Sequence, residues 1–342
     1  MNRYRWFQAL SWLLSLLLAV WVLNSLPLAT ILVSVSELSL AQWILWSVLN
    51  LVIILVYVQR WRCLSVAAGL DIRFSSLFML RQAGQLISLI TPGPQFGGEP
   101  FQVYWLWKKF SAGGTLALQS VALDRFFELW INFAVLLLGL VILLATPALG
   151  LADWSFLTLL MVVLIMILSG IGWLLIAKQE KLSRGIKKLA QRWRQSPRLA
   201  RIDSHWDELS GRLQTTIHTQ KGSLFLALCL SLLGWAGMLF EVWLLLQFFA
   251  IPSSFTTLVL LMVAMRLAFL LPLPGGVGTL EAAIFWAFSG LGLPLAGAAA
   301  LIAMLRLRDA AILLIGVFAL WRIQQAGPTE KVTVGGKEKQ VP

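Results

Sequence analysis

Long runs of apolar residues, broken by short polar segments, organise this chain from end to end. A helix needs roughly 20 apolar residues to cross a bilayer. Runs that approach this length lie at 6–23, 41–58, 126–146, 154–177, 223–250 and 298–320. Shorter or interrupted apolar pieces lie at 74–90, 99–107, 112–123, 254–271 and 279–290. The pattern predicts an all-α polytopic membrane protein with about 6–8 spans.

Composition and charge narrow the class further. The 342 residues are 59% hydrophobic and 12% charged, more apolar than a soluble core requires. The net charge of +12 is concentrated, with 11 Lys and Arg between Lys178 and Lys221. The segments 24–40, 147–153 and 251–254 contain none. This positive-inside bias predicts cytoplasmic N- and C-termini, and it argues against nucleic acid as the partner. We expect the plasma (inner) membrane as the location.

Two segments outside the apolar runs have their own patterns. The predicted cytoplasmic segment 178–221 repeats apolar residues at helical spacing on a basic background. Such a helix either binds an anionic lipid surface or packs on the floor of the helix bundle. The segment 326–342 is polar and contains Gly and Lys, which predicts a disordered cytoplasmic tail. A single transmembrane domain is therefore predicted over 1–325.

The helix-breaking residues occur in two similar clusters. One reads ITPGPQFGGEPF from residue 90, and the other reads LPLPGGVGTLEAA from residue 271. Each has two prolines one residue apart, then glycines, then a glutamate. An arginine follows at matching distance: Arg125 lies 26 residues after Glu99, and Arg306 lies 25 after Glu281. This repetition predicts two structural repeats, over about 41–146 and 223–320.

The predicted directions of the flanking spans give the two repeats opposite topology. In each, the short apolar segments around the Pro/Gly cluster form a re-entrant hairpin that enters the membrane without crossing it. A kinked helix or a surface loop is the alternative for either cluster. Interrupted hydrophobic segments at corresponding positions of inverted halves are typical of a transporter's central site.

The breaks also predict a binding site. Backbone amides freed at a half-helix N-terminus can bind an anion, and the planar fork of arginine suits phosphate. The glutamates could bind a cationic part of the ligand, hold the arginines or carry protons. Structural ion pairing is the alternative for all of these charges, and for Arg81, Glu241, Arg266, Arg308 and Asp309. The predicted substrate-binding residues are Glu99, Asp124, Arg125, Glu128, Gly275, Gly276, Gly278, Glu281 and Arg306.

Several kinds of chemistry have no matching motif. The sequence contains no HExxH, no paired Cys motif and no Walker A loop. Both histidines, His205 and His218, lie in the predicted cytoplasmic segment. We therefore predict no cofactor, no metal and no catalytic residue.

Three stretches of the sequence resemble the lysylphosphatidylglycerol synthase transmembrane (flippase-like domain) family. They are PLPGGVGTLEAA before a helix with Arg306, GGE, and ALDRFFEL. The resemblance covers roughly residues 5–325. The family pattern has an arginine where this chain has Gln102, and Glu-Arg-x-x-Asp where it has Asp124-Arg125-x-x-Glu128. The resemblance implies translocation of a phospholipid or other polar lipid between leaflets. Because the chain ends about twenty residues after the last predicted helix, the resemblance does not extend to a soluble synthase domain.

The leading hypothesis is a flippase-like transporter that binds the anionic headgroup of a membrane lipid between the repeats. A membrane transferase, or an accessory subunit acting on a lipid or lipid-linked sugar, is the alternative. A partner that scaffolds a membrane enzyme is the third possibility, which leaves the paired Glu and Arg residues without a role.

Overall fold

The computed structural model describes residues 36–90, 97–109, 113–146, 154–177, 211–271, 273–325, 332–334 and 337–339. Within these ranges nearly all regular structure is helical. The predicted span at 6–23 and the part of the cytoplasmic segment before residue 211 lie outside the described residues. Pro92, Pro94 and Pro272 of the two breaks lie outside them as well.

Nine helices carry the fold within the described ranges. They are α1 Leu40–Ala67, α2 Phe74–Ile90, α3 Gly98–Lys109, α4 Gly114–Leu144, α5 Ser155–Ala177, α6 Lys221–Phe248, α7 Phe255–Leu270, α8 Thr279–Gly290 and α9 Leu295–Gln325. A further helical stretch at 211–219 precedes α6. Helices α1, α4 and α6 are long and apolar enough to cross a membrane, and Ser155–Gly170 and α7 are shorter apolar helices. The predicted class, an all-α membrane protein, is confirmed.

Most predicted segments match single helices, with one difference. The apolar piece at 112–123 is not separate, because it continues without a break into the next span to form the 31-residue α4. No proline or glycine interrupts the chain between Thr115 and Leu138, so nothing there ends the helix. Helix α9 is equally long, but Arg306, Arg308 and Asp309 near its middle make it less apolar than the three clear spans.

The helices pack in corresponding pairs. Helix α1 packs along α6, α2 packs along α9, and α7 packs against α4. In the two predicted repeats, α1 corresponds to α6, α2 to α7 and α4 to α9. The contact of α2 with α9 therefore corresponds to the contact of α7 with α4. Gly316 of α9 permits a close approach to α2, because a Cβ at that position would lie 2.8 Å from Leu86 Cβ. These pairings are compatible with two repeats, and the repeats over about 41–146 and 223–320 stay a prediction.

Two hairpins of short helices interrupt the bundle at the Pro/Gly clusters. Helix α2 packs on α3, and α7 packs on α8. These helices have 17, 12, 16 and 12 residues. At 1.5 Å per residue they are about 18–26 Å long, shorter than a hydrocarbon core of about 30 Å. The second break needs glycine, since Gly275, Gly276 and Gly278 have φ of 58°, 61° and 86°.

Apolar side chains form both the interior and much of the outer surface. The largest buried cluster joins α4, α6, α7, α8 and α9, and a second joins α1, α2, α3 and the end of α9. On the outside, large apolar side chains such as Phe156, Phe255 and Leu314 are about 70% exposed. A soluble protein rarely exposes so much contiguous apolar area, so these faces suit a lipid environment.

A small sheet occupies part of the predicted disordered tail. Strand β1 (Leu70–Asp71) pairs antiparallel with β2 (Val332–Val334), which pairs with β3 (Lys337–Lys339). The register places Leu70 opposite Val334. The prediction of disorder over 326–342 is therefore corrected for these six residues. The tail is polar overall, but its Val-Thr-Val stretch is β-branched and favours a strand. This stretch pairs with Leu70–Asp71, which lies between α1 and α2.

The described end of the cytoplasmic segment packs on the bundle. Leu213 is buried in a cluster with Leu64, Leu123 and Ala227 of α1, α4 and α6. Thr216 accepts a hydrogen bond from Gln119 Nε2 at 3.0 Å. For residues 211–219, contact with the bundle is thus the observed arrangement. Binding of the remaining segment to an anionic lipid surface stays a prediction.

Candidate functional site

Three arginines surround two carboxylates in the first half of the bundle. Arg60 of α1 donates from Nε to Asp124 Oδ1 at 2.9 Å and from Nη2 to Glu128 Oε2 at 3.0 Å. Arg81 of α2 donates from Nη1 to Asp124 Oδ2 at 2.7 Å, and Arg125 Nη1 donates to Glu128 Oε1 at 3.0 Å. Arg60 and Asp124 are buried. The network therefore ties α1, α2 and α4 together through charge-assisted hydrogen bonds.

Glu99 joins this network to the first hairpin. Its Oε2 accepts a hydrogen bond from the backbone amide of Gly97 at 2.9 Å, at the start of α3. Its Oε1 forms an ion pair with Arg125 of α4. A carboxylate is favourable at a helix N-terminus, where the unpaired amides carry partial positive charge. Glu99 thus links the first turn of α3 to the middle of α4.

Glu281 has the same position in the second hairpin. Its Oε2 accepts from the amide of Gly278 at 2.8 Å, and its Oε1 accepts from Arg306 Nε at 2.5 Å. Arg306 also donates from Nη1 to the Gly275 carbonyl at 3.3 Å and from Nη2 to the Gly276 carbonyl at 3.1 Å. One arginine of α9 therefore holds the whole broken turn, including carbonyl groups that no helix pairs.

A second set of charges extends from Arg306 toward α6. Arg306 Nη1 donates to Asp309 Oδ2 at 3.0 Å. Arg308 donates to Glu241 Oε2 at 2.7 Å and to Asp309 Oδ1 at 3.4 Å. Glu241 is almost completely buried, and its other oxygen accepts from Trp46 Nε1 at 3.2 Å. This set connects α9 with α6 and α1, as the first set connects α4 with α1 and α2.

The two halves thus repeat one arrangement of side chains. In each, a glutamate at a half-helix N-terminus pairs with an arginine of the following long helix. That arginine also pairs with a carboxylate three residues later, Glu128 after Arg125 and Asp309 after Arg306. The two sequence clusters showed the matching Glu-to-Arg spacing, and pairing with the arginines is one of the three roles that the sequence left open for these glutamates.

A cavity of about 220 Å³ lies between the two sets of charges. Its walls come from α1, α2, α3, α4, α6, α7 and α9. Apolar side chains, among them Ile53, Leu239 and Phe269, form part of the wall. Four arginines and four carboxylates form much of the polar part: Arg81, Arg125, Arg266, Arg308, Asp124, Glu128, Glu241 and Asp309. A polar cavity among apolar helices can accept a charged group that the surrounding lipid excludes.

Two glutamines of the cavity wall have buried polar atoms without the partners that burial usually requires, and one arginine of the wall has no described ion-pair partner. Gln82 is completely buried, and within the described ranges neither its Nε2 nor its Oε1 has a hydrogen-bond partner. Gln85 Oε1 is likewise buried without a partner there. Arg266 of α7 lies 4.3 Å over the Trp235 ring and donates from Nη2 to Met238 Sδ at 2.7 Å. No described carboxylate forms an ion pair with Arg266.

An apolar groove of about 450 Å³ adjoins the cavity. It runs between α4, α6 and α7, and no polar surface lines it. Leu239 and Met262 line both the groove and the cavity, so these two side chains separate a polar space from an apolar one. The remaining groove residues are Val135, Leu138, Gly139, Ile142, Phe240, Trp243, Phe255, Leu258 and Val259.

The predicted site residues fall into two groups. Asp124, Arg125 and Glu128 line the cavity. The others, Glu99, Gly275, Gly276, Gly278, Glu281 and Arg306, form the two capped helix starts and the broken turn. In the structure the amides of Gly97 and Gly278, expected to bind an anion of the ligand, donate to the protein's own glutamates. Contact of these residues with a lipid stays a prediction.

The sequence analysis missed the uncharged polar residues of the cavity. Gln82 and Gln85 are three apart on α2, in the stretch RQAGQ, and Gln102 of α3 also lines the cavity. Two amides on one face of an apolar helix were a usable signal. The sequence placed Arg266 and Arg308 among the charges within apolar segments, but they were not among the predicted site residues. Within the described residues no group of three or more His, Cys, Asp or Glu side chains has a metal-ligating arrangement.

These features define an all-α membrane protein with a charged cavity between two sets of partly or fully buried ion pairs. A family model described as the lysylphosphatidylglycerol synthase TM region matches residues 8–316. The chain belongs to this family, as its motifs indicated.

Two relatives have similar lengths. A UPF0104 membrane protein of Methanocaldococcus jannaschii is 25% identical over 275 residues, which cover 77% of this chain and 79% of the relative. A UPF0104 membrane protein of Methanothermobacter thermautotrophicus is 24% identical over 268 residues, which cover 75% and 78%. Both names describe membrane proteins, in agreement with the fold.

Proposed function

We propose that this protein moves a polar lipid between the leaflets of its membrane. The headgroup occupies the central cavity, and an acyl chain follows the apolar groove. The observation that carries the proposal is the position of Leu239 and Met262, which line both spaces. A polar space and an apolar space that meet at two side chains match the two ends of a lipid molecule.

The repeated arrangement of the halves suits such a transporter. The proposal includes the inverted topology of the repeats, re-entrant hairpins α2–α3 and α7–α8, and cytoplasmic termini in the plasma (inner) membrane. A central site between inverted halves can open to either side when one half rocks against the other. The ion pairs of each half hold a hairpin to its long helix, so each half can move as one unit.

The cavity also addresses the main cost of lipid exchange. A charged headgroup in hydrocarbon loses its hydration, and an uncompensated buried charge is expensive. Arginines and amides inside the cavity replace the hydrogen bonds that water made. The wall residues therefore lower the barrier that the headgroup meets when it crosses.

A membrane transferase acting on a lipid or lipid-linked sugar is less well supported. Such an enzyme needs a base or nucleophile that is available to the substrate. Each carboxylate lining the cavity accepts hydrogen bonds from at least one arginine. These carboxylates act as fixed partners of the arginines, which favours binding and transport over general-base chemistry.

Leaflet exchange in liposomes tests the proposal. The purified protein is reconstituted with chain-labelled lipids that carry anionic, zwitterionic or lipid-linked sugar headgroups. An impermeant quencher then reports the label in the outer leaflet. We expect loss of the protected inner-leaflet signal for at least one headgroup, in vesicles that retain a soluble dye. Protein-free liposomes provide the control. Protection of the inner leaflet for every headgroup, with folded protein present, would refute the proposal.

A further inference from the structure

Helices α1 and α6 occupy the same place in the two predicted repeats. Both helices have 28 residues, and α2 and α7 each begin seven residues after them. Arg125 lies 85 residues after the start of α1, and Arg306 lies 85 residues after the start of α6. Each residue of α1 therefore has a matched residue in α6, without a gap in the numbering. Tyr57 and Met238 are matched in this way, because each is the eighteenth residue of its helix.

These two matched residues contact each other. The Tyr57 hydroxyl donates to Met238 Sδ at 3.8 Å. A two-fold axis that interchanges the repeats also interchanges matched residues, so two matched residues in contact lie beside that axis. Tyr57 also packs on Gly234, the fourteenth residue of α6. Ile53, the fourteenth residue of α1, packs on Gly237. We call these five residues the α1–α6 crossing, and the axis relating the predicted repeats passes through it.

The two helices approach each other closely at the crossing. A Cβ at Gly234 would lie 2.7 Å from Tyr57 Cζ, and a Cβ at Gly237 would lie 2.8 Å from Ile53 Cγ1. Tyr57, Ile53 and Met238 also line the central cavity. When one body rotates against another, the atoms beside the axis of rotation move least. Close contacts at the crossing can therefore persist while the ends of the helices move.

Contacts at the ends of α1 and α6 differ from those at the crossing when the repeats exchange roles. In inverted-repeat transporters one repeat rocks against the other around a fixed central site. Interchanging the repeats leaves the contact of Tyr57 with Met238 in place. Cys63 Sγ, near the end of α1, lies 3.6 Å from the carbonyl oxygen of Ser223, near the start of α6. The same interchange moves this contact to the opposite ends of the two helices, so it is made in one state and broken in the other.

We infer that the α1–α6 crossing is the pivot of the two halves, and that the two ends of the α1–α6 pair open in turn. The inference rests on the proposed function and deepens it, because it names the contact that persists during transport and the contacts that break. Tyr57 and Met238 are the centre of this pivot. Cys63 and Ser223 mark the end that leads to the turn between α1 and α2.

Two disulfides test the pivot. Ile53→Cys with Gly237→Cys links the helices at the crossing, where the two Cβ atoms lie within about 4.3 Å of each other, a separation that a disulfide spans. Ser223→Cys with the natural Cys63 links them at the end. Cys229→Ser removes the other natural thiol from both proteins, and Cys63→Ser removes it from the first. Leaflet exchange is compared between the oxidised and the reduced form of each protein.

The two links should have opposite effects. We expect oxidation of the end pair to slow exchange by about tenfold or more, because that end must open, and oxidation of the central pair to change the rate by less than about twofold. Reduction should restore the rate of the end pair. The melting temperature of each oxidised protein shows whether it remains folded. A central link that stops exchange in folded protein would overturn the inference, as would an end link that leaves the rate unchanged.

Spin labels provide a measurement that does not require lipid exchange. In a protein without its two natural cysteines, labels replace the exposed Val66 and Gly222 at one end of the helix pair. A second protein carries labels in place of the exposed Leu40 and Gln247 at the other end. Pulsed electron paramagnetic resonance then gives the distance between the labels of each protein in lipid nanodiscs. We expect a short and a long distance at both ends, because the ends open in turn.

The two measurements separate the pivot from the proposed function. A single distance at either end would overturn the inference, since that end would not open. Two distances at both ends without leaflet exchange of any lipid would refute the proposed function and uphold the pivot. Exchange that persists with the end pair oxidised would uphold the proposed function and refute the pivot.

Discussion

Arg306 of α9 donates to Glu281 at the start of α8 through a hydrogen bond of 2.5 Å between Nε and Oε1. The second oxygen of Glu281 accepts from the Gly278 amide at 2.8 Å. A single carboxylate therefore caps a half-helix and fixes the long helix that follows. Because the cap and the arginine occupy both oxygens, this glutamate has a structural task whatever else it does.

Glu99 and Arg125 repeat the relationship in the first half. Glu99 accepts from the Gly97 amide at 2.9 Å and forms an ion pair with Arg125. The two hairpins are thus closed by the same device. Ion pairs in these places hold each hairpin to its long helix.

Loss of the Glu281 carboxylate should destabilise the protein. Glu281→Ala removes the cap of α8 and leaves Arg306 without its closest partner, so we expect the free energy of unfolding to fall by about 3 kcal/mol or more. Glu281→Gln keeps an acceptor and should cost less. Melting in detergent measures both effects. Glu37→Ala, at an exposed glutamate, is the control. If Glu281→Ala melted at the same temperature as the control variant, the pair of Glu281 with Arg306 would contribute nothing to stability.

Gly276 should tolerate a side chain less well than Gly292. Both have left-handed backbone, with φ of 61° and 64°, which costs an alanine about 1–2 kcal/mol. At Gly276 a Cβ would also lie 2.9 Å from the Phe269 ring, whereas nothing lies within 4 Å at Gly292. We expect Gly276→Ala to lower stability by about 1–3 kcal/mol more than Gly292→Ala, because of overpacking. Equal melting temperatures for the two variants would rule out the tight contact.

Close packing of α9 on α2 should make Gly316 sensitive to substitution. A Cβ there would lie 2.8 Å from Leu86 Cβ and 2.9 Å from the Gln82 carbonyl oxygen. We expect Gly316→Ala to destabilise by about 1–3 kcal/mol. Gly170 of α5 has open space around its added Cβ, so Gly170→Ala should be neutral or slightly stabilising. Thermal unfolding of the pair provides the comparison, and a stable Gly316→Ala protein would mean that the helices are less closely packed.

The boundary between cavity and groove should control transport. Met262→Trp fills the space that Met262 shares between the two, and we expect leaflet exchange to slow by about tenfold or more, equivalent to about 1.4 kcal/mol in the barrier. Leu226→Trp, at an exposed position of α6 away from both spaces, should leave the rate unchanged. The exchange assay measures both variants with the same lipid. Wild-type exchange in Met262→Trp would exclude a route between Leu239 and Met262.

The sequence predicted the features that depend on local spacing. The short helices beside the two breaks were predictable because proline and glycine end helices, and α2 begins and ends where the apolar piece 74–90 does. The repeated distance between glutamate and arginine marked Glu281 and Arg306 as related positions, although the sequence left open whether they pair. In these cases the signal lies within about 30 residues of chain, where helix periodicity and helix breakers largely determine geometry.

Features that depend on distant contacts were not predictable. Arg308 pairs with Glu241, which lies 67 residues away on a different helix. The sequence alone gave no sign that Gln82 would lie buried at the cavity wall without a hydrogen-bond partner for its amide. The strand Val332–Val334 pairs on one side with Leu70–Asp71, which lies far away in the chain. A single sequence does not show which distant residues contact each other. Tertiary packing determines which of several possible partners come together.

Photo-crosslinking would locate the lipid headgroup. A polar lipid that the protein exchanges between leaflets, with a photoreactive group on its headgroup or in one acyl chain, is illuminated in liposomes containing the wild-type protein, and labelled peptides are mapped by mass spectrometry. We expect the headgroup probe to label the cavity at Tyr57 and Gln85, and the chain probe to label the groove at Phe240. Headgroup labels confined to outward-facing residues such as Phe156 would mean that the lipid bypasses the cavity.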